Sequence, residues 1–78
     1  MKQLTILKGR GYENTEENFL VMTEYDYGKT IYRGMSLEGQ YLSDAWGESV
    51  EELKNAIQGI EQVEIYEIKT VKLKKFTK

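Results

Sequence analysis

Residues 49–57 have the sequence Ser49-Val50-Glu51-Glu52-Leu53-Lys54-Asn55-Ala56-Ile57, which is the clearest helix signal in the chain. Ser49, with Glu52 three residues later, forms a capping box, in which a hydroxyl and a carboxylate satisfy free backbone amides. Apolar residues then recur at helical spacing, at Val50, Leu53, Ala56, Ile57 and Ile60. Gly59 predicts the end of the helix, which therefore covers about residues 50–59. The apolar stripe of so short a helix requires a sheet to pack against.

On the N-terminal side of the helix, the chain alternates between strand-like and turn-like segments. Residues 3–8 predict a strand with Leu4 and Ile6 on one face, which Gly9-Arg10-Gly11 interrupts. The polar residues 12–18 predict a loop. Residues 19–27 predict a second strand, with the odd-numbered residues on one face and the even-numbered residues on the other.

Glycines mark the turns that follow this second strand. Gly28-Lys29 predicts a tight hairpin, and residues 30–33 begin the return strand. Gly34 indicates a bulge, and Leu37-Glu38-Gly39 indicates another turn. Residues 40–46 then predict a further strand before the helix.

On the C-terminal side of the helix, residues 63–76 are strand-like, but the phase of their apolar alternation slips twice. A bulge, a bend or a break into two strands would produce such slips. The complete order predicts an α+β fold: a small two-layer domain in which an antiparallel sheet of four to five strands carries one helix on one face. The chain of 78 residues forms a single domain without a linker.

Composition excludes several classes of site. The chain contains no Pro, no Cys and no His. Disulfides, His or thiolate metal sites, and His- or Cys-based catalysis are therefore excluded. Asp44 and Glu48 flank Trp46, but acids before a helix cap are routine. We accordingly predict a protein that is not an enzyme, with no catalytic residue, no metal site and no cofactor.

Charge is unevenly distributed along the chain. The net charge is −2, yet residues 11–68 hold all 13 acids and three basic residues, while residues 69–78 hold five Lys. The first ten residues add Lys2, Lys8 and Arg10. No apolar run approaches the roughly 20 residues of a membrane span, and the N-terminal apolar run is too short for a signal peptide. The sequence therefore predicts a soluble cytoplasmic protein.

Aromatic side chains are the candidates for binding another protein. They cluster around the predicted hairpins and the helix start, at Tyr25, Tyr27, Tyr32, Tyr41 and Trp46. Tyr and Trp are enriched at interfaces because each joins an apolar ring to a polar group. Strands and small cores also favour aromatic residues, so we expect some of the five to be buried. A protein partner is our first prediction, with the chain acting as an inhibitor or accessory protein of phage or mobile-element type.

Two other partners are alternatives. Nucleic acid would bind the basic first and last strands, through Lys8, Arg10, Lys69, Lys72, Lys74 and Lys75. The acidic middle of the chain would instead suit a basic groove on a partner, where it would mimic a nucleic-acid backbone. A homodimer formed through an open sheet edge is the remaining alternative.

About residues 19–57 resemble the HicB-type antitoxin domain. Residues 19–32 resemble its hairpin, Ser36-Leu37-Glu38-Gly39 stands at its turn, and residues 46–57 resemble the start of its helix. The Pro and Cys often found near that turn are absent here, and three residues are added between the turn and the helix. The resemblance implies a partial RNase H-like β-β-β-α-β domain that binds and neutralises a small toxin.

Overall fold

The computed structural model describes residues 2–73, except for the side chains of Lys2, Ser43 and Leu73. The strands are β1 (Lys2–Arg10), β2 (Glu16–Asp26), β3 (Lys29–Ser36), β4 (Tyr41–Gly47) and β5 (Glu64–Leu73), the helix is α1 (Val50–Glu61), and a 3-10 turn (Tyr12–Asn14) joins β1 to β2. The sheet order is β4-β3-β2-β1-β5, and all neighbouring strands are antiparallel. The predicted α+β class, with one helix on an antiparallel sheet, is confirmed.

The sheet has a covered face, on which α1 lies, and an open face. Leu7 of β1 stands opposite Phe19 of β2, and both side chains are buried under the helix. The core on this covered face consists of Leu7, Phe19, Ala45, Leu53, Ile57, Val63 and Ile65. Ile60, predicted to belong to the apolar stripe of the helix, is exposed instead.

The helix begins where the capping box predicts and ends two residues later than expected. The Ser49 hydroxyl accepts the backbone N–H of Glu52 at 3.1 Å, and the Glu52 carboxylate accepts the backbone N–H of Glu48 at 3.2 Å. The predicted end at Gly59 is wrong, since α1 continues to Glu61 and Gln62 takes the left-handed capping conformation. A single glycine costs a helix only about 1 kcal/mol, which packing of the other face offsets.

The first two strands are longer than predicted. β1 continues through Gly9 and Arg10, where we expected an interruption, and β2 begins at Glu16 within the predicted loop. Glu16 and Glu17 stand opposite Arg10 and Gly9. Pairing with β1 thus overrides the low strand preference of these polar residues. A side chain at Gly9 would come within 3.0 Å of Ile65, so glycine suits this crowded point of the sheet.

The hairpin between β2 and β3 turns one residue earlier than predicted. Asp26 pairs with Lys29, so the turn residues are Tyr27 and Gly28 rather than Gly28 and Lys29. Their φ angles are 49° and 78°. A two-residue turn of this kind requires positive φ at both positions, which is easy for glycine and costly for tyrosine.

The two edge strands both contain irregularities. In β4, the pairing moves from Gly34–Leu42 to Arg33–Trp46, which leaves three residues of β4 without a partner in β3. In β5, the pairing moves from Gly9–Ile65 to Lys8–Glu67, which makes Tyr66 a bulge residue. The bulge predicted at Gly34 is confirmed, and the first of the two slips predicted in the last strand is a bulge. The second slip, between Ile68 and Val71, has no counterpart, because the pairing with β1 is unbroken from Glu67 to Leu73. The predicted strand end over residues 74–76 lies outside the described residues.

Candidate functional site

The open face of the sheet carries an apolar row that crosses four strands. Ile6, Leu20, Met35 and Tyr41 stand directly opposite one another on β1, β2, β3 and β4. Residues that pair directly in an antiparallel sheet project to the same side. Ile6, Leu20 and Met35 are only half-buried, because α1 lies on the other face of the sheet. We call these four residues the apolar row.

Trp46 and Tyr41 are the large aromatic residues of β4 on this face. Trp46 stands opposite Arg33, which in turn stands opposite Met22 of β2. The two aromatic residues are exposed by 49% and 44% of their surface. Large side chains that are half in contact with the sheet and half in water are suited to contact a partner.

Arg33 and Glu24 form a polar cluster with Tyr41, the β4 member of the apolar row. We call these three residues the Glu24 cluster. Arg33 Nε donates to Glu24 Oε1 at 3.1 Å, and the Tyr41 hydroxyl donates to Glu24 Oε2 at 2.8 Å. The Arg33 guanidinium lies 5.8 Å from the centre of the Tyr41 ring. Partial desolvation, followed by the hydrogen bond to Glu24, raises the pKa of Tyr41 above its ordinary value.

A second cluster of the same composition lies at the opposite side of the sheet, and we call it the Glu16 cluster. The Tyr66 hydroxyl donates to Glu16 Oε2 at 2.6 Å, and the Arg10 guanidinium lies 4.3 Å from the centre of the Tyr66 ring. The hydrogen bond to Glu16 is the main cause that raises the pKa of Tyr66. The bulge in β5 places Tyr66 where its ring meets Arg10.

Both clusters orient an aromatic ring, and neither has the form of a catalytic pair. Glu16 and Glu24 both lie on β2, eight residues apart, which corresponds to about 27 Å along an extended strand. The two carboxylates are therefore too distant to share a proton or a metal ion. Within residues 2–73, no three acidic side chains come close enough to hold a metal ion.

The structure separates the five aromatic residues that the sequence singled out. Tyr41 and Trp46 lie on the open face, whereas Tyr32 packs against the core on the covered face. Tyr25 stands opposite Thr30 on the covered side, near the hairpin tip. Tyr27 occupies the turn and is 98% exposed. Only Tyr41 and Trp46 of the five thus share a surface with the apolar row.

The basic residues are divided between the two faces. Lys8, Arg10 and Lys69 lie on the open face, while Lys72 stands opposite Gln3 and projects to the other side. Lys8 and Arg10 each have an acid opposite them on a neighbouring strand: Glu67 is opposite Lys8, and Glu16 is opposite Arg10. Lys74 and Lys75 lie outside the described residues.

Sequence reasoning missed the apolar row and the two clusters. One signal was present: β2 carries Phe19 and Val21 on one face and Leu20 and Met22 on the other. Apolar residues on both faces of a strand are typical of a sheet that is covered on both sides. The clusters had no local signal, because their members meet only when the strand order is known.

Comparison with known proteins leaves the function to be inferred from the chain itself. No family model, no curated protein and no solved structure matches it. The resemblance of residues 19–57 to the HicB-type antitoxin domain therefore stays a prediction. Among residues 2–73, no helix has the length and apolar character needed to cross a membrane.

Proposed function

We propose that this chain is a non-enzymatic binding protein that recognises a protein partner through the open face of its sheet. The observation that carries the proposal is the apolar row, which lies uncovered beside exposed Trp46. Contiguous apolar surface on a small domain commonly marks an interaction site. An inhibitor or accessory protein of a phage or mobile element would need little more than such a surface.

The two polar clusters support a protein partner in preference to nucleic acid. Each holds an arginine beside a tyrosine ring and a carboxylate, so the flanks of the apolar row carry both signs of charge. An apolar centre with a mixed polar rim is the usual composition of protein–protein interfaces. A nucleic-acid site would instead present a largely basic surface.

The test is affinity capture from lysate of the native host after nuclease treatment, followed by titration with the purified partner. We expect Trp46→Ala to weaken binding about 30-fold, the equivalent of roughly 2 kcal/mol at an interface hot spot. Tyr41→Ala gives a second open-face variant. Tyr12→Ala is the matched control, since Tyr12 is an exposed aromatic residue outside the apolar row and both clusters. Circular dichroism checks that each variant is folded.

Two outcomes would contradict this proposal. If Tyr12→Ala and Trp46→Ala bind alike, the open face is not the interface. If capture disappears with nuclease and affinity falls steeply with salt, nucleic acid is the partner, and Lys8, Arg10 and Lys69 become its contacts. The second outcome has its own structural basis, since these three residues share the open face.

A further inference from the structure

β5 is an edge strand of the sheet, with β1 on its inner side and no strand on its outer side within the part of the chain that the structure describes. An edge strand presents unpaired N–H and C=O groups that can pair with another strand. The opposite edge, β4, is less suited to this, because three of its seven residues fall outside its regular pairing. β5 has a single bulge residue, Tyr66, and from Glu67 to Leu73 it keeps an unbroken register with β1.

The charges of β5 are divided between its two halves. Glu64 and Glu67 lie in the first half, and Lys69 and Lys72 lie in the second. All four side chains are exposed. In an antiparallel pair of identical strands, the first half of each strand faces the second half of the other. The acidic half of β5 therefore faces the basic half of a second copy.

We propose that the chain forms a twofold homodimer in which β5 pairs antiparallel with β5 of a second copy, with Ile68 at the axis. In this register Glu67 stands opposite Lys69 of the second copy, and the symmetry makes this pair twice. Ile68, which is 44% exposed in the single chain, pairs with Ile68 of the second copy. Opposite charges and apolar residues that face each other across strands stabilise a sheet.

Charge also selects this register against its neighbours. A pairing centred on Glu67 would place two carboxylates opposite each other, and a pairing centred on Lys69 would do the same with two ammonium groups. Like charges directly opposite each other destabilise a strand pair. The lysines of β5 thus discourage pairing with strands that lack acids at the matching positions, while a second copy supplies those acids.

The dimer joins two sheets of five strands into one sheet of ten strands, with both helices on the same side. The two open faces then form one continuous surface, and the two Glu16 clusters lie near its centre, because Tyr66 belongs to β5. The edge is nevertheless distinct from the apolar row. The dimer and the partner-binding proposal can therefore fail independently.

The test is the oligomeric state of the purified chain by analytical ultracentrifugation over a range of protein concentrations. We expect a monomer–dimer equilibrium for the unaltered chain. Glu67→Lys and Lys69→Glu each place like charges opposite each other, so each should weaken dimerisation at least about tenfold. The double variant with both changes re-creates the opposite-charge pairs and should restore dimerisation. Glu38→Lys is the control, since Glu38 is an exposed acid in the turn between β3 and β4.

Circular dichroism must show that both single variants are folded, because Glu67 also stands opposite Lys8 of β1 within the chain, where Glu67→Lys places like charges together. A chain that stays monomeric at the highest concentration overturns the proposal. A dimer that neither single variant weakens also overturns it. The same holds if both single variants weaken the dimer and the double variant does not restore it. A dimer that Trp46→Ala disrupts would place the second copy on the open face instead.

Discussion

The two faces of the sheet differ in how completely their apolar side chains are buried. On the covered face, Leu7, Leu53 and Ile57 are completely inaccessible to water. On the open face, Ile6 and Leu20 are half-buried, although they are as apolar as their counterparts. Ile31 is an exception, since it is buried although it belongs to the open face, opposite Glu24.

The covered face therefore stabilises the fold, whereas the open face remains available to bind another molecule. Burial contributes free energy roughly in proportion to the apolar area removed from water. The covered face has already gained most of this free energy within the chain. Part of the apolar area of the open face is still in contact with water. Its burial would contribute free energy when another molecule covers the apolar row.

The largest expected effect tests this difference directly. Leu53→Ala removes a completely buried side chain and should reduce the free energy of unfolding by about 2–5 kcal/mol. Leu20→Ala, the same change on the open face, should cost only about 1 kcal/mol. Urea denaturation followed by circular dichroism measures both. Equal losses would mean that the open face is already buried in the isolated protein.

A smaller effect concerns the close approach of α1 to β4. A Cβ atom at Gly47 would lie 2.6 Å from Glu52 Cβ and 2.7 Å from the backbone nitrogen of Leu53. Gly47→Ala should therefore cost about 1–3 kcal/mol, since neither backbone can move freely. Gly59→Ala is the matched control, because a Cβ there meets no atom within 4 Å. It should stabilise the helix by about 0.5–1 kcal/mol.

The unfolding midpoints of the two glycine variants should thus move in opposite directions along the urea axis. A loss of stability in Gly59→Ala would show that this residue is needed near the helix end. No change in Gly47→Ala would show that the helix can move away from β4, and the covered face would then be less tightly packed than its burial indicates.

The smallest expected effect uses the two tyrosines of the polar clusters. Tyr41 and Tyr66 have pKa values raised above the ordinary 10.0, so the folded chain holds their protons more tightly than the unfolded chain. Their stabilising effect is complete below the unfolded pKa and is lost as the pH rises through the folded pKa. Stability should therefore fall as the pH rises above the ordinary tyrosine pKa of 10.0.

The double variant Tyr41→Phe and Tyr66→Phe should show a shallower fall over the same pH range. Both changes leave the covered face untouched, so the comparison isolates the open face. Urea midpoints at a series of pH values below and above 10.0 supply the measurement. An identical pH dependence in the double variant would show that the two hydrogen bonds to Glu24 and Glu16 contribute nothing to stability.

Local signals made the helix predictable, and non-local pairing made the site unpredictable. The start of α1 follows from Ser49 and Glu52, which are three residues apart. Near its end the helix contacts β5, since the Gln58 side chain accepts the backbone N–H of Ile65 at 2.9 Å. No rule based on a glycine inside the helix could have located that end.

The polar clusters join residues that are far apart in the sequence. Tyr41 and Glu24 are 17 residues apart, and Tyr66 and Glu16 are 50 residues apart. Their contacts depend on the strand order β4-β3-β2-β1-β5. The sequence is compatible with other orders of the same strands, so these contacts could not be predicted. Trp46 and Tyr41 were identified from their residue type, whereas their common face follows only from the register with β3.

The position of β1 between β2 and β5 also determines how the chain reaches its folded state. The β2–β3 hairpin closes over a two-residue turn, while Lys2 pairs with Leu73, at the other end of the described chain. Loops close more slowly as they lengthen, and sheets with distant pairings fold more slowly than those with local ones. We therefore expect β5 to pair with β1 after the β2–β3 hairpin and the capped helix, which close locally.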